Sequence, residues 1–192
     1  MKTSAEIVLT AFLVTALIFV SIVGTVRAYP AGPPPGVTGG FGEPTCNQAG
    51  CHATYSLNAG RAEGLGDLVI AGIPKQYEPL KTYPLKMTIT HDSADRAAFG
   101  FQVAVRAKAS GAQAGGLKAM DANTQAVAEK GIQYMEQTLE GSLSNVFEFN
   151  WVAPASTAGE IVVNAAGNAA NGDGSPKGDY IYSTSFTISP VP

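Results

Sequence analysis

The sequence predicts an all-β fold, an antiparallel sandwich or barrel, on two observations. Apolar residues alternate with polar ones over several short runs, and turn-forming residues separate these runs. The 192 residues also include 22 glycines and 12 prolines, a share well above the roughly 12% of average proteins. Charged residues make up 14% of the chain and the formal net charge is −3, so a coiled coil and a nucleic-acid binder are disfavoured.

Each predicted strand places its apolar side chains on one face. The alternating sets are Leu85, Met87, Ile89 and His91; Phe99, Phe101, Val103 and Val105; Phe147, Phe149 and Trp151; Ile161, Val163 and Ala165; and Tyr180, Tyr182, Thr184, Phe186 and Ile188. Residues 117–130 have some helical character, but Asp121–Thr124 in their middle favours a turn between two strands. The aromatic set around Trp151 is predicted to lie in the core.

The amino terminus carries a targeting segment. Lys2 precedes an apolar run from Ile7 to Val26. Val26 and Ala28 are small residues at the third and first positions before Tyr29, as a leader-peptidase site requires. The run is also long enough to span a bilayer, so residues 1–28 are either a cleaved signal peptide or a membrane anchor formed by residues 7–26. Both alternatives predict an exported protein, located in the periplasm, at the cell surface or outside the cell.

The exported part divides into two predicted regions. Residues 29–66 begin with a Pro/Gly-rich stretch, which suits an extended tether or a segment wrapped on the surface. Residues 67–192 hold the predicted strands and form the β domain.

The first region contains Cys46 and Cys51, with His52 directly after the second cysteine. In c-type haem attachment two cysteines bind the porphyrin and the next histidine ligates the iron. The usual spacing between the cysteines is two residues, and here it is four. Two alternatives stay open: a Cys46–Cys51 disulfide, which an exported protein permits, and a zinc site, which would need two further ligands.

A haem iron held by His52 would have a second axial position. His91 is in phase with the apolar face of its predicted strand and stands at its end, so it is the first candidate for the distal ligand. Its alternative role is a rim histidine paired with Asp92 or Asp95. Met135 is the fallback ligand, and Met87 and Met120 are weaker candidates.

Other constellations in the sequence are weaker. Residues 168–179 are rich in Asn, Asp and Gly, but Ala169 stands where a calcium loop needs Asp, so a tight turn between two strands is the better interpretation. Glu136 and Glu140 form no convincing acid–base pair, and two histidines leave no serine-hydrolase triad to assign. We therefore expect a protein without enzymatic activity.

Four motifs together resemble a known exported family, the bacterial Reeler-like domain, also called the choice-of-anchor V domain. They are TCNQAGCH (45–52), ITHDSADRAAFGFQ (89–102), FEFNWVAP (147–154) and AAGNAANGDGSPKGDYIY (165–182), and the resemblance covers about residues 30–188. It implies an immunoglobulin-like β-sandwich and a c-type haem, with Cys46, Cys51 and His52 matching the attachment motif and His91 matching a family histidine. Members often have a histidine where this chain has Gln137, so a distal ligand there would be missing.

The expected function is that of an exported electron-transfer protein with one haem c and an unidentified redox protein as partner. A homo-oligomer is left open, and no nucleic acid is expected. The alternative is an adhesion or ligand-binding module, in which Cys46 and Cys51 form a disulfide and the loops around residues 168–179 make the contact surface.

Overall fold

The computed structural model describes residues 29–192, and the predicted signal peptide or anchor of residues 1–28 lies outside them. Ten strands form nearly all of the regular structure: β1 (Gly66–Ala71), β2 (Gln76–Tyr77), β3 (Thr82–His91), β4 (Ala98–Ala107), β5 (Gly116–Ala119), β6 (Thr124–Glu129), β7 (Ile132–Gln137), β8 (Val146–Val152), β9 (Ile161–Ala170) and β10 (Tyr180–Pro190). A helical turn, α1 (Ala59–Ala62), precedes β1, and a 3₁₀ turn (Gly141–Leu143) precedes β8.

The strands form two sheets. One has the order β1-β3-β8-β5 and the other the order β2-β10-β9-β4-β7-β6. All pairings are antiparallel except the short one between β2 and the end of β10, which is parallel. The predicted all-β, immunoglobulin-like sandwich preceded by a Gly/Pro-rich segment is thus confirmed.

The core lies between the two sheets and follows the alternation in the sequence. Leu85, Met87 and Ile89 of β3 are almost fully buried, as are Phe147, Phe149 and Trp151 of β8. The indole N–H of Trp151 donates to the carbonyl of Ala114, so its one polar atom is satisfied in the core. The predicted turn at Asp121–Thr124 is confirmed as well, since it joins β5 of one sheet to β6 of the other.

The outer face of the six-stranded sheet is covered by residues 30–45, here named the amino-terminal strap. Gln102 of β4 accepts hydrogen bonds from the backbone N–H groups of Gly36 and Val37 and donates to the carbonyl of Pro34. Gln102 is therefore completely buried although its neighbours Phe101 and Val103 face the core. The segment is wrapped on the surface and is not a free tether.

A second set of contacts holds the strap farther along the sheet. Glu43 is ion-paired with Arg106 and accepts a hydrogen bond from the Tyr134 hydroxyl at 2.6 Å. Burial acts to raise the pKa of Glu43, but hydrogen bonds from Thr38, Tyr134 and Arg106 outweigh it and hold that pKa below its ordinary value. The carboxylate therefore contributes to stability in its ionised form.

Candidate functional site

The segment from Cys46 to His52 is a compact loop with its own hydrogen bonds. The N–H of His52 donates to the carbonyl of Cys46 (3.2 Å), and the N–H of Cys51 donates to the carbonyl of Gln48 (2.9 Å). The side chain of Asn47 closes the loop by donating to the carbonyls of His52 and Tyr55. Gly50 turns the chain at a φ of 81°, which a residue with a side chain rarely adopts.

The two cysteines are unbonded thiols that line the same cavity. Burial, with a smaller contribution from the nearby Cys51, raises the pKa of Cys46 to about 12. The Cys46 thiol therefore keeps its proton at neutral pH.

His52 is fixed by a residue far away in the sequence. Its Nδ1 atom lies 2.6 Å from Oδ2 of Asp179, a carboxylate that is only 1% exposed. The other oxygen of Asp179 accepts the backbone N–H of Asn171, so the carboxylate is itself held in place. With Nδ1 donating to Asp179, the Nε2 atom of a neutral ring keeps its lone pair. This arrangement is typical of histidines that ligate a metal.

A cavity of about 490 Å³ opens beside these residues on the outer face of the six-stranded sheet. Its size falls within the roughly 300–1,000 Å³ usual for small-molecule and cofactor sites. Cys46, Cys51 and His52 line one side, and Pro33, Pro34 and Val37 of the strap add apolar surface. Gly50 and Gly174 line it at exposed positions, so it is open to solvent.

The floor of the cavity is made of small residues on β4 and β9. Gly100 pairs with Asn168, and Ala98 pairs with Ala170. A Cβ added at Gly100 would come within 3.0 Å of Nε2 of Gln137. The absence of a side chain at Gly100 thus leaves room for the Gln137 amide, which lies over this part of the floor.

Gln137 and His52 stand at the two ends of this floor. Gln137 accepts the N–H of Phe101 (2.8 Å) and adjoins Gly100, whereas Nδ2 of Asn168 lies 3.4 Å from Nδ1 of His52. β4 lies between β7 and β9, so the Gln137 amide reaches over β4 from one side, whereas His52 adjoins Asn168 of β9 on the other side. The cavity can therefore be approached by side chains from two opposite sides.

One polar atom at the cavity has no partner. Oδ1 of Asn168 is buried and accepts no hydrogen bond from any residue in the 29–192 range. A buried acceptor without a donor costs free energy unless a ligand or water supplies one. The cavity thus combines a floor of small residues, two free thiols, the His52 imidazole fixed by Asp179 and the Asn168 amide oxygen without a partner. Together these groups fit a cofactor with polar and apolar parts.

The structure does not bring the predicted distal ligand to this cavity. His91 lies on the inner side of the sheet, where its ring packs 4.4 Å from the ring of Tyr180 and its Nδ1 accepts the N–H of Ser93. Burial first, and then the Arg96 guanidinium, lowers the pKa of His91. Neither alternative partner, Asp92 or Asp95, is hydrogen-bonded to the ring, and Asp95 pairs with Arg96 instead. Nε2 of His91 is buried and unpartnered within the described part of the chain.

The methionine candidates also lie elsewhere. Met87 and Met135 are fully buried in the core, and Met120 is half exposed on the surface. None of the three lines the cavity. The prediction of His91, with Met135 as fallback, therefore gains no support from the cavity geometry.

Residues 171–179 form one wall of the cavity as a tight turn between β9 and β10, which confirms the predicted turn. Asn171, Asp173 and Ser175 each accept a backbone N–H two residues ahead, and the N–H of Gly178 donates to Thr54 next to the cysteine loop. Among residues 29–192 no group of three or more His, Cys, Asp or Glu side chains is placed to hold a metal ion. Within the same range no helix combines the length and the apolar character that crossing a membrane requires.

No protein-family model and no curated protein matches the chain. Among solved structures, the Reelin-N domain of F-spondin is 19% identical, with a TM-score of 0.50 over 73% of this chain and 95% of that one. The human F-spondin reeler domain (fragment 1) is 16% identical, with a TM-score of 0.47 over 66% and 89%. A cohesin module from a Clostridium perfringens family 33 glycoside hydrolase is 11% identical, with a TM-score of 0.45 over 66% and 96%. The chain has a Reeler-like β fold.

Proposed function

We propose that the protein is an exported, cytochrome c-like electron-transfer protein without enzymatic activity, carrying one covalently bound haem. Cys46 and Cys51 would attach the porphyrin, and His52 would ligate the iron. The observation that carries the proposal is the pairing of His52 Nδ1 with the buried carboxylate of Asp179 beside two thiols in one cavity. A disulfide would need neither this pairing nor a cavity.

Attachment needs no oxidant from this chain. Each thiol would add across one vinyl group of the haem: the S–H bond would break, a C–S bond would form at one vinyl carbon, and the hydrogen would go to the other carbon. The short loop from Cys46 to Cys51 keeps both sulfur atoms on one side of the cavity. His52 directly follows Cys51 and is fixed by Asp179, so the imidazole and the thiols would bind the same haem.

When bound, the haem supplies an iron that takes one electron from a reduced partner and passes it to an oxidised one. The chain's own contribution is electrostatic and steric. The hydrogen bond to Asp179 makes the His52 imidazole a stronger donor, which favours the oxidised iron. The strap prolines and Val37 keep water from one side of the cavity, and the open side near Gly50 and Gly174 would face the redox partner.

The test is expression of the full chain with a c-type haem maturation system. We expect a Soret band that remains with the protein through acid–acetone extraction. The double variant Cys46→Ser/Cys51→Ser is the matched control and should lose the band on extraction. A colourless native protein whose mass is two hydrogens below the reduced value would overturn the proposal and favour the ligand-binding alternative.

A further inference from the structure

The end of the cavity opposite His52 is formed by Tyr29, the first described residue. Tyr29 and Pro30 both line the cavity. The carbonyl oxygen of Tyr29 accepts hydrogen bonds from Nε2 of Gln137 (3.3 Å) and from the N–H of Gly32 (3.2 Å). The backbone nitrogen of Tyr29 is three bonds from that oxygen. It is therefore held at the Gln137 end of the floor.

No other nitrogen or sulfur ligand of the usual kind is available at that end. Haem iron in proteins is ligated by His, Met, Cys or Tyr side chains. Of the described residues, the cavity lining contains one histidine and no methionine, and both cysteines stand on the His52 side. Gln137 lines the cavity, but its amide oxygen accepts from Phe101 and its amide nitrogen donates to Tyr29, so both polar atoms are already engaged.

Processing of the leader would change the chemistry of the Tyr29 nitrogen. As part of a peptide bond, that nitrogen has no lone pair to donate. Cleavage after Ala28, at the predicted leader-peptidase site, turns it into an α-amino group. An unprotonated α-amine has a free lone pair and is a nitrogen ligand like imidazole.

The residues around Tyr29 would hold such an amine in place. Pro30 restricts the residue before it to extended conformations, which limits the directions that the terminal nitrogen can take. Gln137 anchors the carbonyl of the same residue and is itself anchored to β4 through Phe101. Gln137 thus stands at this end as a positioning residue for the chain terminus.

We infer that cleavage after Ala28 creates the distal ligand, and that the α-amino nitrogen of Tyr29 binds the iron opposite His52. The inference rests on the proposed function, since it requires the haem held by Cys46, Cys51 and His52. It would explain why the predicted cleavage site directly precedes Tyr29, a residue that lines the cavity.

The first test uses the native haem-loaded protein. Amino-terminal sequencing is expected to begin at Tyr29, and electron paramagnetic resonance of the oxidised protein is expected to show low-spin iron. A chain that keeps its leader, or native protein with high-spin iron, overturns the inference. Absence of covalent haem overturns the proposed function itself, so the two failures are distinguishable.

The second test moves the terminus by one residue. Insertion of a glycine between Ala28 and Tyr29, with the added residue verified by intact mass, is expected to convert most of the iron to the high-spin form while the haem stays attached. His91→Ala and Met135→Leu are the controls and should keep the native spectrum. A native spectrum in the insertion variant, or a high-spin spectrum in His91→Ala, overturns the inference.

A third variant separates the two candidate atoms of Tyr29. Tyr29→Phe removes the phenol and retains the α-amine. Retention of the low-spin spectrum assigns the nitrogen. Loss of that spectrum assigns the phenol and overturns the inference.

Discussion

Asp179 and His52 are separated by 127 residues in the sequence, and in the fold Oδ2 of the first lies 2.6 Å from Nδ1 of the second. The carboxylate is buried and the imidazole is partly exposed toward the cavity. The pair fixes the imidazole that follows two cysteines of unusual spacing, so Nε2 of His52 has a defined position beside the two thiols. It is the structural basis for each prediction about the cofactor.

Replacement of Asp179 tests that basis directly. Asp179→Asn keeps the shape of the side chain and removes the negative charge, so His52 would be a weaker donor to the iron of the proposed haem. We expect the haem to stay attached and the reduction potential to rise by on the order of 59 mV, the equivalent of a tenfold change in relative affinity for a one-electron couple. Asp173→Asn, in the same loop and exposed, is the control. Equal reduction potentials in the two variants would show that Asp179 does not influence the iron through His52.

Filling the floor of the cavity should block haem incorporation. A Cβ at Gly100 would lie 3.0 Å from Nε2 of Gln137, so Gly100→Val should displace that amide and crowd the cavity that both residues line. We expect a folded protein with little covalent haem, measured as the ratio of Soret to protein absorbance. Gly116→Val is the matched control, because its Cβ would meet nothing closer than 3.9 Å. Normal loading of the Gly100→Val protein would mean that the haem lies elsewhere.

The buried Gln102 should be essential for the strap. Gln102→Leu leaves the N–H groups of Gly36 and Val37 and the carbonyl of Pro34 without this partner, and the loss at the buried N–H of Val37 should cost about 1–3 kcal/mol. We expect a lower free energy of unfolding and faster proteolysis within residues 30–45. Gln76→Leu, at an exposed position of β2, should leave both measurements near the wild-type values. Comparable proteolysis of the two variants would contradict the role given to Gln102.

Glu43 should make the stability of the protein dependent on pH on the acid side. Its pKa in the folded protein is lowered, so its contribution is fully present above the ordinary value of 4.5 and is lost as the pH falls through that value toward the folded pKa. Thermal unfolding between pH 7 and pH 3 should therefore show a smaller acid loss for Glu43→Gln than for the wild type. At pH 7 the variant should be less stable by roughly 1–3 kcal/mol.

The exposed Glu63 provides the comparison for that experiment, since Glu63→Gln should keep the wild-type pH dependence. If Glu43→Gln and the wild type lose stability in parallel on acidification, Glu43 does not hold the strap through its charge.

The strands could be predicted from the sequence because each has one face in the core. Phe147, Phe149 and Trp151 alternate with more polar neighbours, and burial follows the alternation. The burial of Gln102 and Arg106 could not be predicted, because it depends on a segment that packs from about 60 residues earlier. The alternation of a strand predicts which residues share a face of the sheet, but it does not predict which other segment covers that face.

The site was predictable only in its local part. Cys46, Cys51 and His52 are adjacent in sequence, so their spacing reveals them. Asp179 and Gly100 carry no signal of their own, and their role follows from strand order and register. His91 is the second histidine and ends a strand, but its ring packs against Tyr180 and accepts the N–H of Ser93, so it does not line the cavity.

The intact mass of the purified native protein shows whether Cys46 and Cys51 carry a haem. We expect a chain that begins at Tyr29 and is heavier than its sequence by one haem, with the added mass retained after denaturation. A chain without that addition and with Cys46 joined to Cys51 would contradict this expectation.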